Sequence, residues 1–213
     1  MFRVLFPPKC ILCAKILHKN ETDLCHSCRE NAETFPGTKT NIPFVAHWTS
    51  LWYYKDDVRC SIHRFKFGNQ RHYAESYGRL LGLRISDSIY AEADLITWVP
   101  VSTIRKLRRG YDQSKLLANA LGKELSIPVQ KLLKKVRHTP PQSTIGHAPQ
   151  RRANVLNAYK ILNSQQIVGK RILLVDDVVT TGATASECAK MLLTAGAKEV
   201  NLATIAVAKH DKK

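Results

Sequence analysis

The sequence contains no apolar run near the ~20 residues that a helix needs to cross a membrane, and we expect a protein that does not span one. Residues 1–9 lack the apolar core of a signal peptide, which predicts a cytoplasmic location. If the protein acts at the inner face of the cytoplasmic membrane, we expect partner proteins to hold it there. Internal repeats are also missing, and 213 residues suit one medium domain with a small appendage.

Acidic residues are scarce, with 17 Asp and Glu against 33 Lys and Arg, so the formal net charge is +16. Such a field attracts nucleic acid, acidic membrane surfaces or phosphorylated ligands. A soluble basic protein without a polyanionic partner has the same balance. Because the cations are clustered along the chain, we favour nucleic acid as a partner.

The cysteines are concentrated at the N-terminus, where Cys10, Cys13, Cys25 and Cys28 form two Cys-x2-Cys pairs. In a cytoplasmic chain this spacing indicates a metal site rather than disulfides, and four thiolates bind Zn²⁺ in a closed structural site. An iron–sulfur cluster needs the same ligands, so spacing alone leaves that alternative open. The segment is too small for a core of its own, so we expect the metal to stabilise it.

Strand and helix patterns alternate through the rest of the chain. Expected strands are 48–54, 95–99, 128–133, 171–175 and 200–208, and expected helices are 56–66, 73–85, 112–125, 153–158 and 183–194. Residues 34–43 look like a linker, and 138–149 form a loop rich in proline. Strands that alternate with helices predict an α/β fold with a mostly parallel sheet.

The segment 172–184, ILLVDDVVTTGAT, carries the strongest site signal. An unbroken apolar run predicts a strand buried on both faces, and ligands of parallel sheets lie at the carboxyl ends of such strands. Small residues and a glycine before a helix let backbone amides bind a phosphate. The carboxylates of Asp176 and Asp177 suit ribose hydroxyls or Mg²⁺ beside a diphosphate. The competing interpretation is an ordinary threonine cap with solvated aspartates.

A second basic segment, 99–113, follows the expected strand 95–99. Its cations would lie at the same sheet edge as Asp176 and Asp177 if the two strands are parallel. Arginines such as Arg105 and Arg109 can bind a pyrophosphate in bidentate fashion. A solvated basic loop is the alternative.

Segment 172–184 resembles the motif that binds 5-phosphoribosyl-1-pyrophosphate (PRPP) in type I phosphoribosyltransferases. The resemblance implies a mostly parallel sheet flanked by helices, a small N-terminal zinc-finger or hood segment, and a flexible loop over the pocket. It implies that Asp176 and Asp177 bind the ribose 2′- and 3′-hydroxyls and that 180–184 binds the 5-phosphate, with Mg²⁺ accompanying PRPP. The PRPP-binding residues we predict are Asp176, Asp177, Val178, Val179, Thr180, Thr181, Gly182, Ala183, Thr184, Ser102, Arg105 and Arg109.

Features across nearly the whole chain resemble the ComF family, including its ComFC-like competence proteins. They are the paired cysteines, the FKFG element 65–68, Tyr111 and Gln113 in 99–113, and QRRANV 150–155. Asp112 departs from the Asn common in that family, and a carboxylate there needs an Arg or metal partner. The resemblance implies a zinc-binding segment 1–40, a phosphoribosyltransferase-like domain 41–213, and action on single-stranded DNA in natural transformation with a helicase partner.

Basic residues outside the phosphate motif give two further predictions. Candidates for binding nucleic acid, some with aromatic neighbours, are Arg64, Lys66, Arg71, Lys134, Lys135 and Arg137. Arg151 and Arg152 are candidates for a lid over the pyrophosphate. Two functions remain open, a transferase that moves the phosphoribosyl group of PRPP to an acceptor in a metabolic pathway, and a PRPP-binding protein of DNA uptake. We favour the second, with transferase activity compatible with it.

Overall fold

Strands and helices alternate along the computed structural model, which describes residues 7–37, 41–137 and 156–209. The strands are β1 (Trp48–Tyr53), β2 (Leu95–Trp98), β3 (Leu133–Lys135), β4 (Tyr159–Ile161), β5 (Arg171–Val179) and β6 (Glu199–Val207). The helices are α1 (His26–Asn31), α2 (Asp56–Phe67), α3 (Tyr73–Ile85), α4 (Thr103–Arg109), α5 (Gln113–Leu125) and α6 (Ala183–Thr194). A 3₁₀ turn spans Ile89–Glu92.

Four parallel strands form the main sheet in the order β1-β6-β5-β2. A separate antiparallel pair joins β3 to β4. The prediction of a strand over 128–133 was wrong, since that segment makes one bridge, from Val129 to Ile96, before β3 begins. The helix predicted over 153–158 is absent from its described part, 156–158, and β4 was not predicted.

Apolar side chains of the central strand β5 face opposite sides of the sheet. Leu173 and Val175 join the core under α3 and α5, whereas Ile172 and Leu174 join the core under α6. Full burial of all four explains why this strand shows no polar alternation. The fold is therefore an α/β sandwich with helices on both faces, as the sequence predicted.

Helices α3 and α5 pack so closely that one position between them admits only glycine. A Cβ on Gly78 would lie 2.5 Å from the Cβ of Ala120, closer than side chains approach. This contact fixes the second half of α5, whose N-terminus lies at the candidate site.

The cysteine-bearing segment shares a core with the sheet. Ile11 and Leu12 are buried in the same cluster as Tyr77 of α3. The expected linker 34–43 is not a loose one in its described part, because Phe35 is buried and stacks on Trp48 with ring centroids 4.9 Å apart. Division of the chain at residue 40 remains a proposal, and 38–40 lie outside the described residues.

Across 7–37, 41–137 and 156–209, no helix combines the length and apolarity needed to cross a membrane.

Candidate functional site

Strand β5 extends past the end of its neighbour β2. Their pairing ends at Trp98 and Val175, and β5 continues to Val179 beside β6. The predicted end of this strand at residue 175 was therefore four residues too early. Asp176 and Asp177 lie on the extension, next to the N-terminus of α5. The N-terminus of α5 lies beside β5 in the position that β2 no longer occupies. The carboxylates of Asp176 and Asp177 therefore both contact α5, although β5 continues as a regular strand there.

Asp177 is held by two partners and is 5% exposed. The Lys66 ammonium lies 2.8 Å from its Oδ1. Gln113 Nε2 donates to its Oδ2 at 2.8 Å. The Lys66 contact is an ion pair in a largely buried place, and hydrogen bonds with a charged partner are stronger than neutral ones. The sequence assigned Lys66 to nucleic acid and gave Gln113 no contact, so both partners were missed.

Among the residues that the structure describes, the hydrogen bonds to Asp176 are all made to its Oδ1. Ser114 Oγ donates to its Oδ1 at 3.0 Å, and the Asp177 amide donates to the same atom at 2.8 Å. Burial, together with the neighbouring charge of Asp177, raises the pKa of Asp176 to about 7. A group that holds a proton near neutral pH binds a cation in competition with that proton.

The loop after β5 leads into α6 through Gly182, whose φ of +72° is left-handed. A Cβ there would lie 2.9 Å from the side chain of Ile42, so glycine is required by both conformation and space. The Ala183 amide donates to Thr181 Oγ1 at 3.4 Å at the start of the 12-residue helix α6. Val179 is buried in the core, so its side chain forms part of the wall rather than a ligand contact.

The basic segment after β2 forms helix α4 rather than the solvated loop of the alternative interpretation. Ser102 caps it by accepting from the Arg105 amide at 3.4 Å. Burial and the charge of Arg109 lower the pKa of Arg105, and the charge of Asp177 opposes that shift. The Arg109 guanidinium carbon lies 4.7 Å from the ring centroid of Phe67. Parallel pairing of β2 and β5 thus brings Arg105 and Arg109 to the edge that carries the aspartates.

Two residues from the antiparallel pair also reach this region. Burial and the nearby charge of Arg105 lower the pKa of Lys135 to about 8. The Lys135 ammonium lies 5.2 Å from the ring centroid of Tyr159, and Tyr159 shares a side-chain hydrogen bond with Thr184. Lys135 therefore lies near Arg105 and Asp176 of the candidate ligand site, and its contact with nucleic acid stays a prediction. Tyr159 was missed because the three-residue β4 has no readable pattern.

Asp112 acts as a helix cap. Its Oδ1 accepts from the Lys115 amide at 3.2 Å at the start of α5, and its Oδ2 accepts from Trp98 Nε1 at 3.3 Å. Burial raises the pKa of this carboxyl group. We expected an arginine or a metal as the partner of the Asp112 carboxylate. Its partners are instead the Lys115 amide and the Trp98 indole.

The four N-terminal cysteines converge on one point. The sulfur atoms of Cys10, Cys13, Cys25 and Cys28 all lie within 4.8 Å of one another. Burial and the other three thiols raise the pKa of Cys28. Four convergent thiols fit a tetrahedral zinc site.

The remaining nucleic-acid candidates differ in exposure. Arg64 is partly buried, and its Nη2 donates to the carbonyls of Ile11 and Leu12. The guanidinium thus contacts the cysteine-bearing segment, and a nucleic-acid contact of Arg64 stays a prediction. Arg71, Lys134 and Arg137 are exposed. The lid candidates Arg151 and Arg152 lie outside the described residues.

Two family models match the chain. The phosphoribosyl transferase domain model matches residues 111–213, and the double zinc ribbon domain model matches residues 1–39. The chain is thus a protein of the type I phosphoribosyltransferase fold with an N-terminal zinc ribbon, and zinc is the structural metal of the four cysteines.

Comparison with individual proteins identifies the family. Competence protein F of Haemophilus influenzae is 31% identical, over 91% of this chain and 94% of that protein. This chain belongs to the ComF family. DNA utilization protein YhgH of Escherichia coli O157:H7 is 29% identical, over 92% of this chain and 95% of that protein. Among solved structures, glutamine PRPP amidotransferase from B. subtilis has a TM-score of 0.45 at 21% identity, covering 67% of this chain and 30% of that longer chain.

Proposed function

We propose that this chain binds PRPP together with Mg²⁺ at the edge formed by β5, α4 and α6, and that it acts in the cytoplasm during natural transformation. The observation that carries the proposal is the pair Asp176 and Asp177 on β5, directly before the N-terminus of α6 and facing the cations of α4. One site thereby combines acceptors for a diol or metal with two groups that attract phosphates.

Each part of PRPP has a matching group in this arrangement. The 5-phosphate would bind the amides and hydroxyls of 180–184 at the N-terminus of α6. The ribose hydroxyls and Mg²⁺ would bind beside Asp176, which has one carboxylate oxygen without a described hydrogen-bond partner. The diphosphate would bind Arg105 and Arg109 of α4, with Lys135 as a third cation.

Transferase chemistry is compatible with this site. Departure of pyrophosphate from C1 develops positive charge on the ribose and negative charge on the leaving group. Arg105 and Lys135 would stabilise the leaving group, and no covalent nucleophile is required. The zinc ribbon carries no recognisable base-binding motif, so we assign no acceptor.

Calorimetry with PRPP and Mg²⁺ tests the pocket. The double variant Asp176→Asn, Asp177→Asn removes both charges with little change of shape and is expected to abolish measurable binding. Asp87→Ala removes an exposed aspartate outside the site and serves as the matched control. Equal affinity of the wild type and the double variant would disprove a PRPP site here.

Single-stranded DNA is the second ligand that we propose. The observation that favours it is Phe67, which is 54% exposed and has Arg109 stacked on its ring. Exposed Arg71, Lys106 and Arg108 lie on the same or neighbouring elements. An aromatic face among cations suits the bases and backbone of a single strand. A helicase partner is expected from family membership alone.

A transformation assay separates the proposed role from a metabolic one. A strain that carries the Asp176→Asn, Asp177→Asn chain in place of the wild type is expected to lose transformation to the same extent as a deletion strain tested beside it. A purely metabolic phosphoribosyltransferase would instead give a growth defect in minimal medium with normal transformation.

A further inference from the structure

Helix α2 contacts the first zinc knuckle from one side. Ser61 Oγ donates to the carbonyl of Ile11. Arg64 Nη2 donates to the carbonyls of Ile11, at 3.1 Å, and Leu12. Ile11 and Leu12 are the two residues between Cys10 and Cys13. The helix is therefore bound to the backbone that sets the spacing of two zinc ligands.

The opposite side of the same helix reaches the candidate ligand pocket. Two residues after Arg64, the Lys66 ammonium lies 2.8 Å from Asp177 Oδ1, and its side chain is 19% exposed. Between them, the Phe65 carbonyl accepts a hydrogen bond from the Tyr111 hydroxyl, just before α5. A rigid helix thus connects the zinc knuckle to a buried carboxylate on β5.

We infer that Lys66 is a ligand-binding cation of the PRPP pocket and that the zinc knuckle sets its position through Arg64. This inference rests on the proposed function of the pocket. The Lys66 ammonium neutralises Asp177, and its remaining N–H groups donate to the anionic ligand. Because an α-helix transmits a shift along its axis, loss of the Arg64 contacts displaces Lys66 from Asp177. Arg64 is therefore a positioning residue.

A similar contact to the second knuckle provides a matched control. Arg79 of α3 binds Asp23 through two hydrogen bonds, of 3.1 and 2.5 Å. Asp23 lies two residues before Cys25, and Leu12 lies one residue before Cys13. Helix α3, however, contributes no side chain to the pocket among the described residues. Loss of the Arg79 contact should thus disturb the ribbon without moving Lys66.

The test measures PRPP affinity by calorimetry at saturating Mg²⁺, with zinc content and thermal melting recorded for each variant. Lys66→Met is expected to weaken binding about tenfold, the size of one lost charge-assisted hydrogen bond. Arg64→Gln is expected to weaken PRPP binding by a smaller factor, while the variant still contains one zinc per chain. The double variant should bind no more weakly than Lys66→Met alone, since both changes act on one contact. Arg79→Gln should bind as the wild type does.

Three results would overturn the inference. They are wild-type affinity in Arg64→Gln, multiplicative effects in the double variant, and equal losses in Arg64→Gln and Arg79→Gln. If the Arg64→Gln variant loses zinc, the Arg64→Lys variant is used instead, both alone and combined with Lys66→Met. The same criteria then apply to it. Absence of PRPP binding by the wild type would refute the proposed function itself, whereas wild-type binding with an unaffected Arg64→Gln refutes only the role of α2.

Discussion

The amide nitrogen of Gln113 donates to Asp177 Oδ2 at 2.8 Å, while the Oε1 atom of the same side chain is buried with no hydrogen-bond partner in the described part of the chain. A buried acceptor without a donor costs about 1–3 kcal/mol. A hydroxyl group of a bound ligand would satisfy it. Under the proposed function, the bound ligand would complete the hydrogen bonding of this side chain.

Replacement of Gln113 by Leu should accordingly weaken PRPP binding about tenfold, since it removes both the contact to Asp177 and the acceptor. Calorimetry measures the effect. Gln130→Leu is the control, because Gln130 Oε1 is also buried without a partner among the described residues, but Gln130 lies alongside Ile96 rather than at the pocket. A similar loss in both variants would refute a ligand contact for Gln113.

The affinity for PRPP with Mg²⁺ should rise between pH 5.5 and 8. The pKa of Asp176 is about 7, so the proton that Mg²⁺ must displace is lost over this range. Affinity should change by up to about tenfold per pH unit below 7. Asp176→Asn keeps the oxygen that accepts from Ser114 but cannot ionise, and it isolates this effect from titration of the ligand. Identical pH profiles in the two proteins would contradict the assignment.

Without ligand, the contribution of Asp176 to the free energy of unfolding should fall as pH rises, whereas the affinity for PRPP should rise. The pKa of Asp176 is raised from its ordinary 3.8, so the folded state binds this proton more tightly than the unfolded chain. The resulting stabilisation is fully present below pH 3.8 and is lost as pH rises through 7. Asp176→Asn should therefore raise Tm more at pH 8 than at pH 5. Thermal melts at both pH values provide the test, and an equal change at each would disprove it.

Zinc content should depend on the clustered cysteines alone. Cys10→Ser is expected to lose the metal and to destabilise the protein by about 3 kcal/mol or more, because metal binding contributes to folding. Cys60→Ser is the control, since Cys60 is exposed and lies outside the cluster. Metal analysis and thermal melting report the two effects. Retention of one zinc per chain by Cys10→Ser would exclude Cys10 as a ligand.

Binding of an oligonucleotide should depend on the exposed ring of Phe67. Phe67→Ala is expected to cost about 1–3 kcal/mol, the usual worth of one stacked base. Leu83→Ala, which truncates a more exposed apolar residue on α3, should have no effect. Fluorescence anisotropy at ~50 mM salt, where electrostatic binding is strong, measures both. Unchanged binding by Phe67→Ala would place the DNA elsewhere.

Prediction from the sequence succeeded where the signal is local. The Cys-x2-Cys pairs, the apolar run before Asp176 and the glycine before α6 each define their structure within 19 residues or fewer. Lys66 and Gln113 were not assigned to the pocket, because their partner Asp177 lies 111 and 64 positions away in sequence and only the tertiary fold joins them. The end of β5 was misplaced because polar residues usually mark a strand end, whereas pairing with β6 continues here.

The core that Ile11 and Leu12 share with Tyr77 has a consequence for how the protein matures. A newly made chain that has no zinc cannot order the segment that covers this face of the sheet, and it leaves apolar surface open to aggregation or proteolysis. The supply of zinc in the cell would then govern how much of the whole protein accumulates, and the sheet domain would not persist as a separate, metal-free unit.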